Sequence, residues 1–174
     1  MENKTKAVFA GLLTLLGLGW LASRAKALPE GLAAGISVAI YDTDGNLVPH
    51  NSPALLVPGT SYYAEATVTN KSTYRDTGNP APQTFGIGVI LSIGGYYRVN
   101  YSTSYAFTAN EVKAFQSPAF AITEADYEAQ FGVENLVVAS VFAENFLVQA
   151  KETIEIAQPP IVSSALVTVG VGVF

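Results

Sequence analysis

The most constraining feature of this sequence is the period of its apolar residues, which recur at every second position from about residue 35 to residue 157. Residues 62–68 and 148–156 alternate in this way, and Glu152 is the one charged residue on the apolar side of the later run. The clearest run places its apolar residues on a single face: Phe85, Ile87, Val89, Leu91 and Ile93. A period of two buries a continuous face in a β-strand and scatters it around a helix. The body of the chain is therefore predicted to be sheet.

Clusters of turn-forming residues separate the apolar runs, at residues 42–46, 57–60, 77–82, 94–95 and 109–111. Residues 124–131 are the one stretch of the body compatible with a helical turn, which we interpret as a crossover between strands. Strands at this spacing, without long helices between them, predict an all-β fold. We expect an antiparallel immunoglobulin-like β-sandwich over residues 28–157.

Four stretches of the predicted sandwich carry a family resemblance: residues 58–72, 85–95, 137–145 and 148–155. In them the chain resembles the immunoglobulin-like cell-adhesion-related (CARDB-type) surface modules of bacteria and archaea, over about residues 36–157. Those modules have a V-x-N-x-G-like strand end, a strand closing on a glycine hairpin and a late acidic stretch. Here Lys71-Ser72 stands where a glycine is common, and Ala143 stands where the family often has aspartate. No ligand or ion role is therefore carried over.

The N-terminal segment has the order basic, apolar, small that is typical of export signals. Lys4 and Lys6 precede an uncharged run from Ala7 to Ala22, and Ala25-Lys26-Ala27 then forms an A-x-A cleavage site. Cleavage there would make Leu28 the first residue of the mature protein. Residues 1–27 are therefore predicted to be a signal peptide or a membrane anchor helix.

The anchor interpretation depends on length, because the sixteen residues from Ala7 to Ala22 span roughly 24 Å as a helix. This is short of a hydrocarbon core of about 30 Å, although a snorkelling Arg24 or Lys26 extends the reach. Both interpretations stay open. In the anchor, the lipid-contacting side chains would be Ala7, Leu12, Leu13, Leu15, Leu16, Leu18, Trp20 and Leu21.

The C-terminal segment, residues 158–174, is predicted to be a strand arm. Pro159-Pro160 interrupts the chain, and Ile161 to Phe174 carries no charge. The alternating pattern and the glycines make it a poor helix, and it is too short to span a membrane. We predict that the arm contacts a neighbouring subunit through Leu166, Val167, Val169, Val171, Val173 and Phe174. The alternatives are that it forms the last strand of its own sandwich or touches a membrane.

Composition excludes several kinds of site. The chain has no cysteine and a single histidine, His50, so it has no disulfide, no thiolate metal site and no cysteine nucleophile. Residues 28–174 hold five basic and thirteen acidic side chains, and such an acidic body repels phosphate backbones. We predict no cofactor, no bound metal and no nucleic-acid partner.

Three local patterns have both a structural and a functional interpretation. Asp42, Asp44 and Asn46 have the oxygen spacing of a calcium loop, but Asp-Gly between two strands is also a strong hairpin turn, which we favour. His50 lies in a polar loop and is expected to be a plain surface residue. The tyrosines Tyr62, Tyr63, Tyr96, Tyr97, Tyr101 and Tyr105 are compatible with a sugar-stacking face, although tyrosine is also a favoured strand residue.

Two N-x-S patterns, at Asn70 and Asn100, match the acceptor site for glycosylation. Because serine and threonine are frequent in this chain, chance matches are expected.

These features together predict a non-enzymatic structural or interaction protein. We expect a membrane-anchored or exported immunoglobulin-like subunit of a surface assembly, either a virion or capsid component or a cell-surface filament or layer. Its partners would be copies of itself, other shell or surface proteins, and lipid through residues 7–22. The alternatives are an exported monomeric adhesion module that binds a glycan or a protein, and an exported hydrolase. The sequence contains no G-x-S-x-G, no H-E-x-x-H and no phosphate-binding glycine loop, so we assign no catalytic residue.

Overall fold

The computed structural model describes residues 31–50 and 53–159. The elements are β1 (Ala34–Asp42), β2 (Ala54–Leu56), β3 (Ser61–Asn70), β4 (Gln83–Ile93), β5 (Tyr96–Phe107), β6 (Val112–Gln116), β7 (Phe120–Ala121), α1 (Glu124–Ala129), β8 (Leu136–Ala143) and β9 (Phe146–Ile156). The predicted anchor helix and the arm beyond Pro159 lie outside the described residues. Within the described part, no helix is both long enough and apolar enough to cross a membrane.

The strands form two sheets. One has the order β1-β3-β6, with β7 pairing the start of β3, and the other has the order β2-β9-β8-β4-β5. The predicted all-β, sandwich-like architecture is confirmed, and the pairs are antiparallel with one exception. Residues Ala54–Leu56 of β2 run parallel to Ile154–Ile156 of β9. The expectation of a purely antiparallel fold is therefore wrong at this edge, because β2 reaches the sheet through a long connection and no hairpin dictates its direction.

The core lies between the two sheets and is filled by the side chains that the period of two selects. On β3, every second residue from Tyr62 to Asn70 is buried. On β9, Ile154 and Ile156 are buried and Glu155 is exposed. The fully buried large side chains include the predicted run of β4: Phe85, Ile87, Val89, Leu91 and Ile93.

Strand β4 is buried on both faces, whereas the alternation predicted burial on one. Its central position between β8 and β5 explains the difference, because neighbouring side chains lie over its small second-face residues. Gly86 shows this most directly: it is paired with Phe142 on β8, and a Cβ at residue 86 would overlap the Phe142 ring. Any larger residue at position 86 would therefore require the Phe142 ring to move.

Helix α1 is the crossover that the sequence predicted, since it connects β7 in one sheet to β8 in the other. It ends at Ala129, before the predicted limit at Phe131. Asp126 fixes its start, because Oδ2 of this fully buried carboxylate accepts hydrogen bonds from the backbone N–H of Thr123 and from its hydroxyl group, both at 2.8 Å. Oδ1 of Asp126 binds the guanidinium group of Arg98 on β5.

A β-bulge directs Arg98 towards the helix. Leu91 pairs with Val99 but Ser92 pairs with Tyr97, so Arg98 is the extra residue of β5. Bulges re-aim side chains and increase the local twist. The end of β5 next to the β4–β5 hairpin is therefore tied to α1, and β5 is regular from Val99 to Phe107.

Candidate functional site

The edges of the two sheets are the first places to look for a binding surface, because an edge strand presents unpaired backbone N–H and C=O groups. The outermost strands are β1 and β6 in one sheet and β2 and β5 in the other, and the two-residue β7 and residues 146–153 of β9, which β2 does not pair, are edges as well. They differ greatly in length and in the side chains that protect them.

The edges other than β5 are short, covered at one end or charged, and the open part of β9 carries Lys151 and Glu152. Strand β2 has only three residues. The chain after β1 turns back on it, so that Leu47 bridges to Tyr41 and the N–H of Val48 donates to the carbonyl of Ile40 at 2.8 Å. Strand β6 has five residues, and Lys113 on its inward side lies over the ring of Tyr105, 3.9 Å from the centroid. Short edges and inward-pointing charges are the usual protection against unwanted strand pairing.

Strand β5 is the long, unprotected edge. It has twelve residues and, among the described strands, pairs with β4 alone. Its regular part, Val99–Phe107, contains no charged residue and no proline. On its inward side, Val99 and Phe107 are buried, while Tyr101, Thr103 and Tyr105 are only half-buried. This stretch can accept another strand without steric or electrostatic obstruction.

The outer face of the five-stranded sheet continues this surface. It consists of the strand positions that alternate with the core: Gly86, Gly88, Ile90, Ser92, Asn100, Ser102, Ser104, Leu136, Val138, Ser140, Phe142, Leu147, Gln149, Lys151 and Thr153. Lys151 is the only charged residue among them, and Glu155, at the end of β9 beside β2, is the one carboxylate on this face. On a chain with a net charge of −5, this face is where another acidic molecule meets the least repulsion.

A group of exposed apolar side chains lies at the end of the sandwich where β4 turns into β5. We call Tyr96, Tyr97, Phe131 and Val133 the end cluster. Tyr96 is 71% and Phe131 65% exposed, and the Phe131 ring stacks edge-on against Tyr127, with 5.3 Å between centroids. Exposed aromatic groups of this kind are common at sites that bind proteins or sugars.

The predicted turn at Asp42 is confirmed. Oδ1 of Asp42 accepts hydrogen bonds from the backbone N–H groups of Asp44 (3.0 Å) and Asn46 (2.8 Å), and Oδ2 accepts one from the Asn46 side chain (2.9 Å). Gly45 supplies the positive φ that this turn needs, +86°. The hydrogen bonds from the Asn46 side chain and backbone lower the pKa of Asp42 below its ordinary value of 3.8. Among the described residues, no three His, Asp or Glu side chains are grouped as metal ligands would be.

His50 is exposed, as expected, but it has a partner that the sequence did not indicate. Its Nδ1 lies 3.0 Å from Oε2 of Glu152, and the side chains are 40% and 14% exposed, respectively. Glu152 is the charged exception on the apolar side of β9, and its polar group needs a partner there. The pair joins the loop before β2 to β9. Sequence reasoning missed it because residues 50 and 152 come together only through the parallel β2–β9 pairing.

Glu111 holds the turn that takes the chain from β5 to β6. Its Oε2 accepts hydrogen bonds from the backbone N–H of Thr108 (2.7 Å) and the Thr108 hydroxyl (3.1 Å), and its Oε1 accepts one from the Tyr105 hydroxyl (2.9 Å). The Thr108 backbone bond, with help from Tyr105 and Lys113, lowers the pKa of Glu111 below its ordinary value of 4.5. Nothing in the sequence marked this glutamate as a turn residue.

The Asn70 glycosylation pattern is a structural motif. Asn70 is fully buried, and its side-chain amide donates to the carbonyls of Ala81 (2.8 Å) and Thr108 (2.9 Å). Its Oδ1 accepts the N–H of Ser72 at 3.0 Å. Asn70 thus ties the end of β3 to two loops and is not accessible to a glycosylating enzyme in the folded protein. Asn100, in contrast, is exposed on β5.

Taken together, the strands, their register and the core define a two-sheet β-sandwich of the immunoglobulin-like type. No protein-family model and no curated protein sequence matches the chain. Among solved structures, it is similar to the CARDB domain of a Pyrococcus furiosus protein, solved in complex with di-metal ions. The identity is 15%, the TM-score is 0.39, and the match covers 76% of this chain and 95% of that one. The predicted resemblance to CARDB modules is thus confirmed as a weak one.

A second similarity is to a β-glucosidase from Listeria innocua. The identity is 17% and the TM-score 0.37, and the match covers 74% of this chain but only 16% of the enzyme. The structure of that enzyme in complex with glucose matches in the same way, at 16% identity and a TM-score of 0.36. The fold assignment rests on the strands and register of this chain, and no functional property is taken from these similarities.

Proposed function

We propose that this protein is a non-enzymatic interaction domain that serves as a subunit of an extracellular surface assembly, on a cell or on a virion. In this proposal its five-stranded sheet contacts further copies of the same chain or other surface proteins. The carboxylates of Asp42, Glu111 and Asp126 hold turns and a helix start, which suits a structural role better than acid–base catalysis.

The observation that carries the proposal is the contrast between the protected edges and the open edge of β5. Monomeric β-proteins normally shield a long edge, because its backbone groups pair readily with other chains. Here the long edge is regular, uncharged and continuous with an outer face whose one carboxylate, Glu155, lies at the far end of the sheet. A surface of this kind is expected where a designated partner covers it.

Light scattering on the full chain over a range of concentrations tests this proposal. We expect association that rises with concentration, and we expect Ser102→Glu on β5 to weaken it at least tenfold by placing an unpaired carboxylate in the contact. Ser37→Glu is the matched control, since Ser37 is also exposed on an outer strand face but in the other sheet. A chain that stays monomeric at all concentrations would contradict the proposal.

A second candidate function, a monomeric adhesion module, is favoured by one observation: the exposed end cluster. Stacking a sugar or a protein side chain on Tyr96 and Phe131 would use aromatic surface that the fold otherwise leaves in water. This candidate predicts a monomer whose tyrosine fluorescence changes on titration with oligosaccharides. Tyr96→Ser should abolish that change without affecting the melting temperature.

The proposal includes a membrane role for residues 7–22, either as an anchor or as a signal that is removed. The intact mass of the native protein decides between the two, because cleavage after Ala27 leaves Leu28 as the first residue. If the segment is retained, the full chain should float with phospholipid vesicles and a variant starting at Leu28 should not.

A further inference from the structure

We propose that residues 166–174 of a neighbouring copy pair, in antiparallel orientation, with the free edge of β5 between Val99 and Phe107. The proposal rests on the proposed function, since it names the contact through which copies associate. Among the described strands, none pairs with the free edge of β5, and the sequence predicts that residues 166–174 form a strand. The proposal pairs these two segments.

Length and charge match between the two segments. In the register used below, Val99–Phe107 faces residues 165–173 of the arm, nine residues on each side, and neither stretch contains a charged residue. No other edge offers nine uncharged residues: β2 has three residues, β6 has five, the end of β1 is covered by Leu47 and Val48, and the part of β9 that β2 leaves open, residues 146–153, contains Lys151 and Glu152. A nine-residue strand spans about 30 Å, so pairing along the regular part of β5 satisfies a long row of backbone groups.

The two faces of the arm also match the two faces of β5. A strand added to an edge continues both faces of the sheet, because its side chains alternate as those of its neighbour do. In one of the two possible alternations, Val169, Val171 and Val173 continue the inward face. There they would cover Tyr101 and Thr103, which are half-buried at the open side of the core.

In that same alternation, Thr168, Gly170 and Gly172 continue the outer face. Their neighbours on β5 would be Ser102 and Ser104, which are exposed and equally small. The alternation therefore puts the valines of the arm on the apolar side and its small central residues on the polar side, with Leu166 and Phe174 on the outer face at the two ends. Shifting the register by one residue would reverse both matches.

Strand direction favours the arm of another copy over the chain's own arm. Thr153 on β9, Leu136 on β8, Ser92 on β4 and Tyr97 on β5 lie side by side across the sheet. Strand β9 therefore ends at the same end of the sandwich at which β5 begins.

From this position the chain's own arm would have to reach the far side of β5, four strand spacings from β9 or roughly 19 Å at about 4.8 Å per spacing. It would then run alongside β5 in the parallel direction. Parallel pairing is less stable per residue and requires a long crossover. The arm of a neighbouring copy has no such constraint and can pair in the antiparallel direction.

Cysteine cross-linking of the full chain tests the proposal, since the native sequence has no cysteine. Purified S102C and G170C chains are mixed, allowed to assemble and oxidised gently. We expect a disulfide-linked dimer joining residue 102 of one chain to residue 170 of another, identified by mass spectrometry after digestion. S37C mixed with G170C is the matched control and should link no more than background.

Two further pairs report the strand direction. In the antiparallel arrangement, S104C links to T168C and N100C links to G172C, whereas S104C with G172C and N100C with T168C link poorly. A parallel strand gives the opposite preference. Because these pairs avoid residue 170, they also keep the proposal testable if G170C assembles less well than the native chain.

The other possible results contradict either this inference or the proposed function. Links that form within the S102C/G170C double variant but not between mixed single variants mean that the arm pairs with its own chain, which overturns the inference. Assembly seen by light scattering without any β5–arm link also overturns the inference but leaves the proposed function intact. A chain that neither associates nor cross-links contradicts both.

Discussion

Strands β5 and β6 end the two sheets on the same side of the sandwich, and one turn joins them, yet their edges are built differently. Strand β6 is short and has Lys113 on its inward side, where the ammonium group lies over Tyr105. Strand β5 is more than twice as long and is uncharged along its regular part. Both edges belong to one fold and face the same solvent, but only β6 carries the features that protect an edge against strand pairing.

The largest effect on stability is expected at the start of β5, where Arg98 contacts Asp126 of α1. Asp126→Ala removes the partner of Arg98 and the hydrogen bonds that start the helix, which should lower the free energy of unfolding by about 3 kcal/mol. Urea denaturation followed by circular dichroism measures this. Glu128→Ala, an exposed position of the same helix, is the control and should change stability by less than about 0.5 kcal/mol. Equal losses in the two variants would show that the buried pair has no special role.

The comparison of the two edges can be tested by transferring the protection of β6 to β5. Thr103→Lys places a lysine on the inward side of β5, at a half-buried position from which its amine can reach water. We expect self-association to weaken at least tenfold, equivalent to about 1.4 kcal/mol, while the melting temperature of the subunit changes little. Analytical ultracentrifugation and calorimetry measure the two quantities.

The reverse exchange, Lys113→Val, should make β6 more prone to pairing and should increase association at equal concentration. If Thr103→Lys leaves association unchanged, the open edge of β5 is not the contact surface.

Much of the fold was predictable from sequence because it depends on local alternation. The runs at 62–68, 85–93 and 148–156 became β3, β4 and β9, and the stretch after Thr123 became the crossover helix. What could not be predicted depends on residues distant in sequence. The parallel β2–β9 pair is such a case, because no turn motif specifies it.

The candidate site was predictable to a smaller extent. The tyrosines of β5 were noted as a possible sugar-stacking face, but their position on an edge follows from the order of strands in the sheet, which alternation does not determine. Glu152 was recognised as an exception on an apolar face. A charged residue on an apolar face indicates that a polar partner lies nearby, but the sequence did not identify His50 as that partner. The bulge that directs Arg98 to Asp126 left no pattern in the sequence.

The turn between the two edges should make stability depend on pH in acid. Hydrogen bonds lower the pKa of Glu111 below 4.5 in the folded protein, so its contribution is present above the pKa of the unfolded chain and is lost as the pH falls through the folded value. Asp42 behaves in the same way below 3.8. We therefore expect the melting temperature to fall as the pH is lowered below about 4.5. Glu111→Gln and Asp42→Asn should each make that fall shallower, and slopes identical to the native protein in both variants would contradict this assignment.

The smallest effect is expected at the opposite side of the sandwich, where β2 forms a third kind of edge with only three residues. His50 and Glu152 hold the loop before β2 against β9, but the histidine is 40% exposed, so the pair is partly screened by water. His50→Ala should lower the free energy of unfolding by about 0.5 kcal/mol and should speed hydrogen exchange at Ala54–Leu56 more than at β5. A double-mutant cycle with Glu152→Gln isolates the pairwise contribution. If exchange at β2 stays unchanged in His50→Ala, the parallel β2–β9 pairing alone holds this edge, and its short length is sufficient protection.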